Sequence, residues 1–226
     1  MISLDRPIWS ALTTRQAEFA RGEGDALAFR PDVEPFAASA ADDARSIAAL
    51  GALHLPGDVL LLIQSEPSPI PTGLHLASEA VGVQMIVESA IDGPRPAGAI
   101  PLGDDDVPEM IALAGLTKPG PFRSATHRLG QFWGIRRDGV LVAMAGERLK
   151  LPGMTEISGV CTHPDWRGQG FARQLSAFVA AQVQERGETA FLHAYADNRA
   201  AIGLYESLGF RIRREMAVQL LASPPA

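Results

Sequence analysis

Val160-Cys161-Thr162-His163-Pro164-Asp165-Trp166-Arg167-Gly168-Gln169-Gly170-Phe171-Ala172 is the run on which the reading of this chain turns. A β-type segment ends at Thr162, a turn with two glycines follows, and an Ala-rich helical pattern begins at Phe171. The first N–H groups of a helix lack intrahelical acceptors, and the positive end of its dipole faces outward. A turn almost bare of side chains at that point suits phosphate oxygens. Two other phosphate loops fail on spelling. A dinucleotide-type Gly-x-Gly-x-x-Gly counted from Gly168 meets Arg173 at its third position, and no Gly-Lys-Ser/Thr follows Gly170. The bland alternative is a strand-to-helix connection in which glycines only permit tight packing.

Working outward, Glu156 to Thr162 reads as the strand entering the turn. Phe171 to Arg186 reads as a helix with Leu175, Phe178, Val179 and Val183 on one stripe, stopped by Gly187. Upstream, Ala99 to Leu102 is a short strand. Asp104 to Asp106 opens a helix carrying Val107, Met110, Ile111 and Leu113, with Gly115 near its end. Gln131 to Arg137 and Val140 to Leu149 form a hairpin across Asp138-Gly139. Downstream, Ala190 to Tyr195 is a strand, Asn198 to Leu208 a helix closed by Gly209, and Phe210 to Leu221 a final strand. This alternation predicts an α/β (α+β) fold around a mixed sheet.

Two Pro-rich stretches, Ser65 to Pro71 and Asp92 to Gly98, punctuate the middle, and a boundary is expected near residue 97. The expected division is a smaller α/β region over 1–97 and a second domain over 98–226. Before the boundary, a helix is expected from Ala41 to Leu53 and strands from Asp58 to Gln64 and Val81 to Glu88. No internal repeat of about 20–50 residues is visible.

The chain has 226 residues, 46% of them apolar, enough for a packed core. Twenty basic residues against 26 acidic ones give a formal charge of -6, which argues against nucleic acid as a partner. A single cysteine, Cys161, excludes an intramolecular disulfide. Met1 to Ile8 lacks a charged-then-apolar leader pattern, so no signal peptide is expected. No apolar run, Val59 to Ile63 included, approaches the ~20 residues that would span a bilayer. A soluble, cytoplasmic protein with no membrane partner is expected. The histidines show no ligand spacing, so no metal is expected.

Arg167-x-x-Gly170-x-Ala172 resembles the turn by which GNAT superfamily N-acetyltransferases bind the pyrophosphate of acetyl-CoA. Thr155 to Pro164 is similar to the strand that precedes that turn, and Asp197 to Phe210 to the helix that follows the next strand. The three blocks stand in the family's order over roughly residues 99–221. Glycine N-acyltransferase-like members, which also carry a motif-poor N-terminal half, resemble the chain too. The resemblance implies a mostly antiparallel sheet flanked by helices, with acetyl-CoA as acyl donor. Cofactor contacts would fall at Val160, Cys161, Thr162, Arg167, Gly168, Gln169, Gly170, Phe171, Ala172 and Asn198.

Acyl transfer from a thioester to an amine needs a neutral nitrogen, a stabilised oxyanion and a proton for the departing thiolate. Glu156 is the candidate base; the period-two rule sets it on the side of Ser158 and Val160, and a base-acting glutamate stands at or near this position in many relatives. Its competing reading is a solvent-facing strand carboxylate. Tyr205 is the candidate acid, since a phenol of pKa about 10 stays protonated at rest; the matching family tyrosine does this, and a core aromatic is its alternative. A backbone N–H of Val160, Cys161 or Thr162 would meet the oxyanion. Asn198 caps its helix or holds the pantetheine arm, and capping is favoured. Cys161 reads as a small hydrophobe rather than a nucleophile. Arg211, Arg213 and Arg214 read as a solvated strand edge, and Phe122 or Trp133 as candidates to line an acceptor pocket. The expected activity is acetyl transfer to a small-molecule or peptide amine by direct attack. A non-catalytic acyl-CoA-binding protein is the alternative, and an alcohol acceptor or longer acyl chain is a third.

Overall fold

The computed structural model describes residues 3–224. Met1 and Ile2, the start of the stretch read for a leader, lie outside it, as do Pro225 and Ala226. The chain opens with α1 (Pro7–Thr13), where Pro7 occupies the first turn, the one place a helix tolerates a missing N–H. A small antiparallel sheet of β1 (Ala20–Arg21), β2 (Ala26–Phe29) and β3 (Ala37–Ser39) follows. Neither α1 nor this sheet was expected: the elements are too short for periodicity to register. Then come α2 (Ala44–Ala52), capped by Asp43, whose Oδ1 accepts from the Ser46 N–H at 2.9 Å, β4 (Leu60–Gln64) and β5 (His75–Val87).

The remainder runs β6 (Ala99–Leu102), α3 (Val107–Thr117), β7 (Phe132–Arg137), β8 (Val140–Leu151), β9 (Met154–Thr162), α4 (Phe171–Glu185), β10 (Thr189–Tyr195), α5 (Arg199–Glu206) and β11 (Arg211–Ala222). The element order follows the expectation, and the sheet is mixed and mostly antiparallel. One stop differs. α3 passes Gly115 and ends at Lys118, which takes the left-handed conformation (φ 52) usually left to glycine.

Eight strands lie in the order β4-β11-β5-β10-β9-β8-β7-β6. Strand β5, from before residue 97, is inserted between β10 and β11 and pairs antiparallel with both. The expected boundary is therefore not a break in the sheet, and the Pro-rich stretches are the connectors on either side of β5. The second is not free chain. Ile91 N–H donates to Gln184 Oε1 at 2.9 Å, and a Cβ on Gly93 would stand 2.1 Å from the Ala177 carbonyl oxygen of α4. The three-arginine cluster lies where β11 runs beyond the end of β4 and pairs with β5 alone, so it does stand at an edge.

Each face of the sheet has its own core. Leu175, Val179 and Val183 of α4 pack against Val142, Ala145 and Ile157 on one side. On the other, Leu4, Ile8, Leu12, Phe29 and Phe36 cover Leu149, Leu151, Phe191 and Met216. Full burial of one such side chain contributes about 1.5–3 kcal/mol, so the N-terminal segment is integral to the core over the second face. Among the described residues no helix is long and apolar enough to cross a membrane.

Candidate active site

The site begins where two parallel strands part. Pairing of β9 with β10 runs from Met154 and Thr189 to Glu156 and Phe191 and goes no further. Beyond it β9 keeps β8 on one edge and opens a cleft on the other. Here Gly159 (φ 63) carries a bulge: Cys161 pairs with Met144 and Ser158 with Gly146, so β9 spends three residues where β8 spends two. The extra residue corrects the strict alternation expected from Glu156 to Val160. Val160 packs against the cluster that holds Ile157, while Cys161 joins the one that holds Met144.

The same register sorts the candidate oxyanion donors. His163 N–H donates to Val142 O at 2.7 Å, and the pairs Thr162 with Ala143 and Cys161 with Met144 continue that ladder. Alternate residues point their N–H groups to opposite edges, so the Cys161 amide faces β8 and those of Val160 and Thr162 face the cleft.

The turn after β9 is open to solvent. Gly168 (φ 78) and Gly170 (φ 77) both adopt the left-handed conformation, and Gly168 has nothing within 4 Å of where a Cβ would stand. The first hydrogen bond of α4 runs from Gln174 N–H to Gly170 O at 2.9 Å. The amides from Gly168 to Arg173 find no acceptor among the described residues. All of these residues but Gln169 line a groove with Val160, Cys161, Thr162, Arg167 and Tyr205. Gln169 is the member of the expected set that does not line it. Phe171 is largely buried, with the Arg137 guanidinium over its ring at 5.0 Å. Free amides with the cations Arg167 and Arg173 alongside fit a diphosphate.

Deeper in the cleft is a cavity of about 150 Å³. Tyr205 lines both it and the groove and is 8% exposed. Burial raises its phenol above the ordinary value, helped by the Glu156 charge, so it holds its proton. Asn198 also lines both hollows, and its Oδ1 accepts from Ala201 N–H at 3.1 Å, capping α5. Burial pushes the Cys161 thiol up to about 11, which leaves it un-ionised.

Glu156 is not where a direct base would stand. It is 0% exposed and does not line the cavity. Its Oε2 accepts from Arg148 Nε at 2.9 Å and from Leu149 N–H at 3.3 Å. Its Oε1 accepts from Arg148 Nη2 at 2.8 Å and from His193 Nδ1 at 2.7 Å. Burial alone would raise its pKa, but the Arg148 charge and these hydrogen bonds outweigh it and hold the carboxyl at about 2. A carboxylate so satisfied has little basicity left.

The network continues through His193. Gln84 Nε2 donates to its Nε2 at 3.0 Å and to Leu4 O at 2.9 Å, while Gln84 Oε1 accepts from Arg213 Nη1 at 2.8 Å. Both ends of the Gln84 amide are thereby assigned. His193 must carry its proton on Nδ1 and present a lone pair at Nε2. Arg213 also reaches Asp5 Oδ1 at 2.6 Å, which accounts for two of the three clustered arginines, since Arg214 meets the same oxygen at 3.2 Å.

Sequence reasoning missed Arg148, His193 and Gln84. One signal was present: Glu147-Arg148 follows the apolar run Val140 to Ala145 within β8, and buried charges there need partners. Phe122 packs edge-on against Phe132 at 5.4 Å beside the cleft mouth; Trp133 packs on Phe178 of α4, away from it. Among the described residues no cluster of His, Cys, Asp and Glu is placed to hold a metal ion.

Comparison with known proteins gives the family. Residues 132–218 match the family model described as FR47-like protein. The [ribosomal protein bS18]-alanine N-acetyltransferase of Escherichia coli K12 is 35% identical over 77 residues, 34% of this chain and 51% of the relative. The match thus spans about half the length of that curated relative. The crystal structure of a putative acetyltransferase of the GNAT family from Novosphingobium aromaticivorans DSM 12444 is 43% identical, covers 100% of both chains and superposes with a TM-score of 0.93. A GCN5-related N-acetyltransferase from Kribbella flavida shares the fold at 22% identity, with 100% of this chain and 98% of that one covered and a TM-score of 0.68. With a 43% identical relative matched along its whole length, this chain belongs to the GNAT family of acetyltransferases.

Proposed function

We propose that this protein moves an acetyl group from acetyl-CoA to an amine by direct attack of the amine on the thioester, with no covalent enzyme intermediate. The observation that carries this reading is Tyr205, an un-ionised phenol at the wall shared by the phosphate-type groove and the cavity. The diphosphate would rest on the amides from Gly168 to Arg173, with Arg167 and Arg173 nearby, and the pantetheine arm would follow the open edge of β9. Acetyl-CoA supplies the activated acyl carbon. The Val160 and Thr162 amides face the cleft and can meet charge developing on the carbonyl oxygen, as fixed donors that need no reorganisation. Tyr205 donates its proton to the departing thiolate sulfur.

For the amine's proton, Glu156 does not act by contact, and water in the cleft carries the proton away. His193 lines the cavity, but its Nδ1 is bonded to Glu156 and its Nε2 lone pair to the Gln84 amide, so Glu156 and His193 hold the wall beside the reacting amine rather than take its proton. Glu156 is in this reading a positioning residue.

The test is a screen of amine acceptors with acetyl-CoA, following thiol release, for the wild type and Tyr205→Phe. Tyr205→Phe should lose most of kcat. Binding of acetyl-CoA without thiol release for any acceptor would favour the competing reading, a protein that binds acyl-CoA and does not turn it over.

A further inference from the structure

All but two of the chain's twenty basic side chains are arginine, and the two lysines have different settings. Lys150 holds its Nζ 3.1 Å from Glu147 Oε2 and lines none of the hollows of the cleft. Lys118 is exposed and makes no ion pair among the described residues. It lines the groove beside the turn, the inner cavity and the outer hollow that adjoins it. The lining shared by groove and cavity is Lys118, Pro119, Val160, Asn198, Ala201 and Tyr205, and Lys118 carries the one primary amine of that set. An arginine would bring the same charge to this place, but it stays protonated and cannot attack a carbonyl carbon.

The backbone mounts this amine at a cost. Lys118 closes α3 with φ 52 and ψ 54, and its N–H donates to Ala114 O at 2.7 Å. Glycine or asparagine is the usual residue at a left-handed helix end, and a following proline further disfavours helical backbone at the residue before it. Pro119 is that proline. Among the described residues the other non-glycine with positive φ is Asp138, in the hairpin turn. Strain of this kind persists where the surrounding structure over-determines it, and it gathers at reactive sites. Pro119 and Pro121 flank Gly120 and stiffen the chain beyond, so the side chain leaves from a fixed point. An amine tethered there needs none of the affinity that an external acceptor must supply.

We propose that Lys118 is a self-modification site, whose ε-amine takes the acetyl group from acetyl-CoA bound to the same chain. The ammonium first gives one proton to water. The neutral Nζ attacks the thioester carbonyl carbon, the C–N bond forms and the C–S bond breaks. Tyr205 protonates the departing sulfur, and the second amine proton restores the phenol by way of water. The products are an acetylated Lys118 and free coenzyme A, with one proton released to solvent. The proposal rests on the acyl-transfer reading for its chemistry and goes beyond it by naming an acceptor within the chain. Modification replaces an ammonium where groove meets cavity by a bulkier neutral amide, so the entrance to the cavity changes in charge and in size.

In the experiment the protein is incubated with acetyl-CoA and no added amine, and peptide mass mapping follows Lys118 and Lys150 over time. Lys150 gauges the spontaneous reaction of a lysine with the thioester. Lys118 should be acetylated about 10²-fold faster, with a rate constant independent of protein concentration, as a tethered reaction requires. Tyr205→Phe should slow acetylation of Lys118 by about 10²-fold and leave that of Lys150 unchanged. Lys118→Arg should abolish the thiol released without added amine. Equal rates at the two lysines, or a Lys118 rate indifferent to Tyr205→Phe, would mark background chemistry and overturn the proposal. A Lys118 rate that rises with protein concentration would mark transfer between copies and overturn it too. An unmodified Lys118 in a protein that releases thiol with added amines overturns this proposal alone. No thiol release with any amine and no acetyl-Lys118 would mean that the acyl-transfer reading had failed with it.

Discussion

The turn at the head of α4 and the polar network behind the cavity both hold charge in place, by opposite means. The turn spans six consecutive residues, is open to solvent and works through main-chain N–H groups. The network draws Arg148 from β8, Glu156 from β9, His193 from β10 and Gln84 from β5, and it is largely buried. Local geometry serves the first, and sheet order the second. An open cradle of amides receives any diphosphate of the right shape, whereas a buried set of side chains fixes one tautomer. Generic grip and particular chemistry are thus separated along the cleft, with Tyr205 where they meet.

If that division is right, damage to the network should cost most. Glu156→Gln leaves the Arg148 guanidinium buried without its counter-ion, and removal of one partner of such a pair typically costs about 3–5 kcal/mol. Urea unfolding at pH 7 should show a loss of that order. In the wild type the same pair gives a pH signature. A carboxyl at about 2 in the folded chain against an ordinary 4.5 contributes stability that is complete above pH 4.5 and is lost as pH falls toward 2. A variant as stable as the wild type would mean that the network is not under tension.

Next in size is Tyr205→Phe, which keeps the ring and its packing on Phe210, at 6.0 Å, while removing the hydroxyl. Loss of a general acid should lower kcat by about 10²–10³-fold with coenzyme A affinity unchanged. Parallel loss of affinity would place Tyr205 in the groove's architecture rather than at the junction.

The two regions also differ in how far they could be read from the sequence. Gly168 and Gly170 were legible because a left-handed turn before a helix has few spellings, and Tyr205 because its block stands at a fixed distance along one helix. Element order came through for the same reason: hairpin dipeptides, caps and stripes are local. Sheet order did not, because nothing in β5 says that it will lie between β10 and β11 once long Pro-rich connectors let it travel. The partners of Glu156 were hidden with it. Arg148 is eight residues away in sequence, but His193 and Gln84 arrive only through strand pairing. An isolated glycine within a strand does signal a bulge, so the break in alternation at Gly159 was readable in principle.

A smaller effect tests the network from its rear. Both oxygens of Glu34 are buried without a partner, and burial, only partly offset by Arg148, raises the carboxyl to about 8. The folded chain then keeps a proton that the unfolded chain releases near 4.5. The stability it contributes is complete below pH 4.5 and is lost as pH rises toward 8. Glu34→Gln, neutral at every pH, should remove this loss, gaining on the wild type by about 1–2 kcal/mol between pH 6 and 8 in urea titrations. Parallel stability profiles would mean that Glu34 meets a compensating donor.

The smallest expected effect belongs to the turn, and it sharpens the contrast because it should be purely local. A side chain on Gly170 meets only the mobile end of Gln174, at 3.4 Å, so space does not oppose it; φ of 77 does. Holding an alanine in that conformation costs about 1 kcal/mol, and relaxing it would turn the neighbouring N–H groups away from a common point. Calorimetric titration of Gly170→Ala should show coenzyme A bound about five-fold more weakly, the same free energy expressed as a ratio. Pantetheine, which lacks the diphosphate, should bind it as it binds the wild type. Equal weakening for both ligands would place the grip along the β9 edge, and the division between an open phosphate cradle and a largely buried chemical interior would fall.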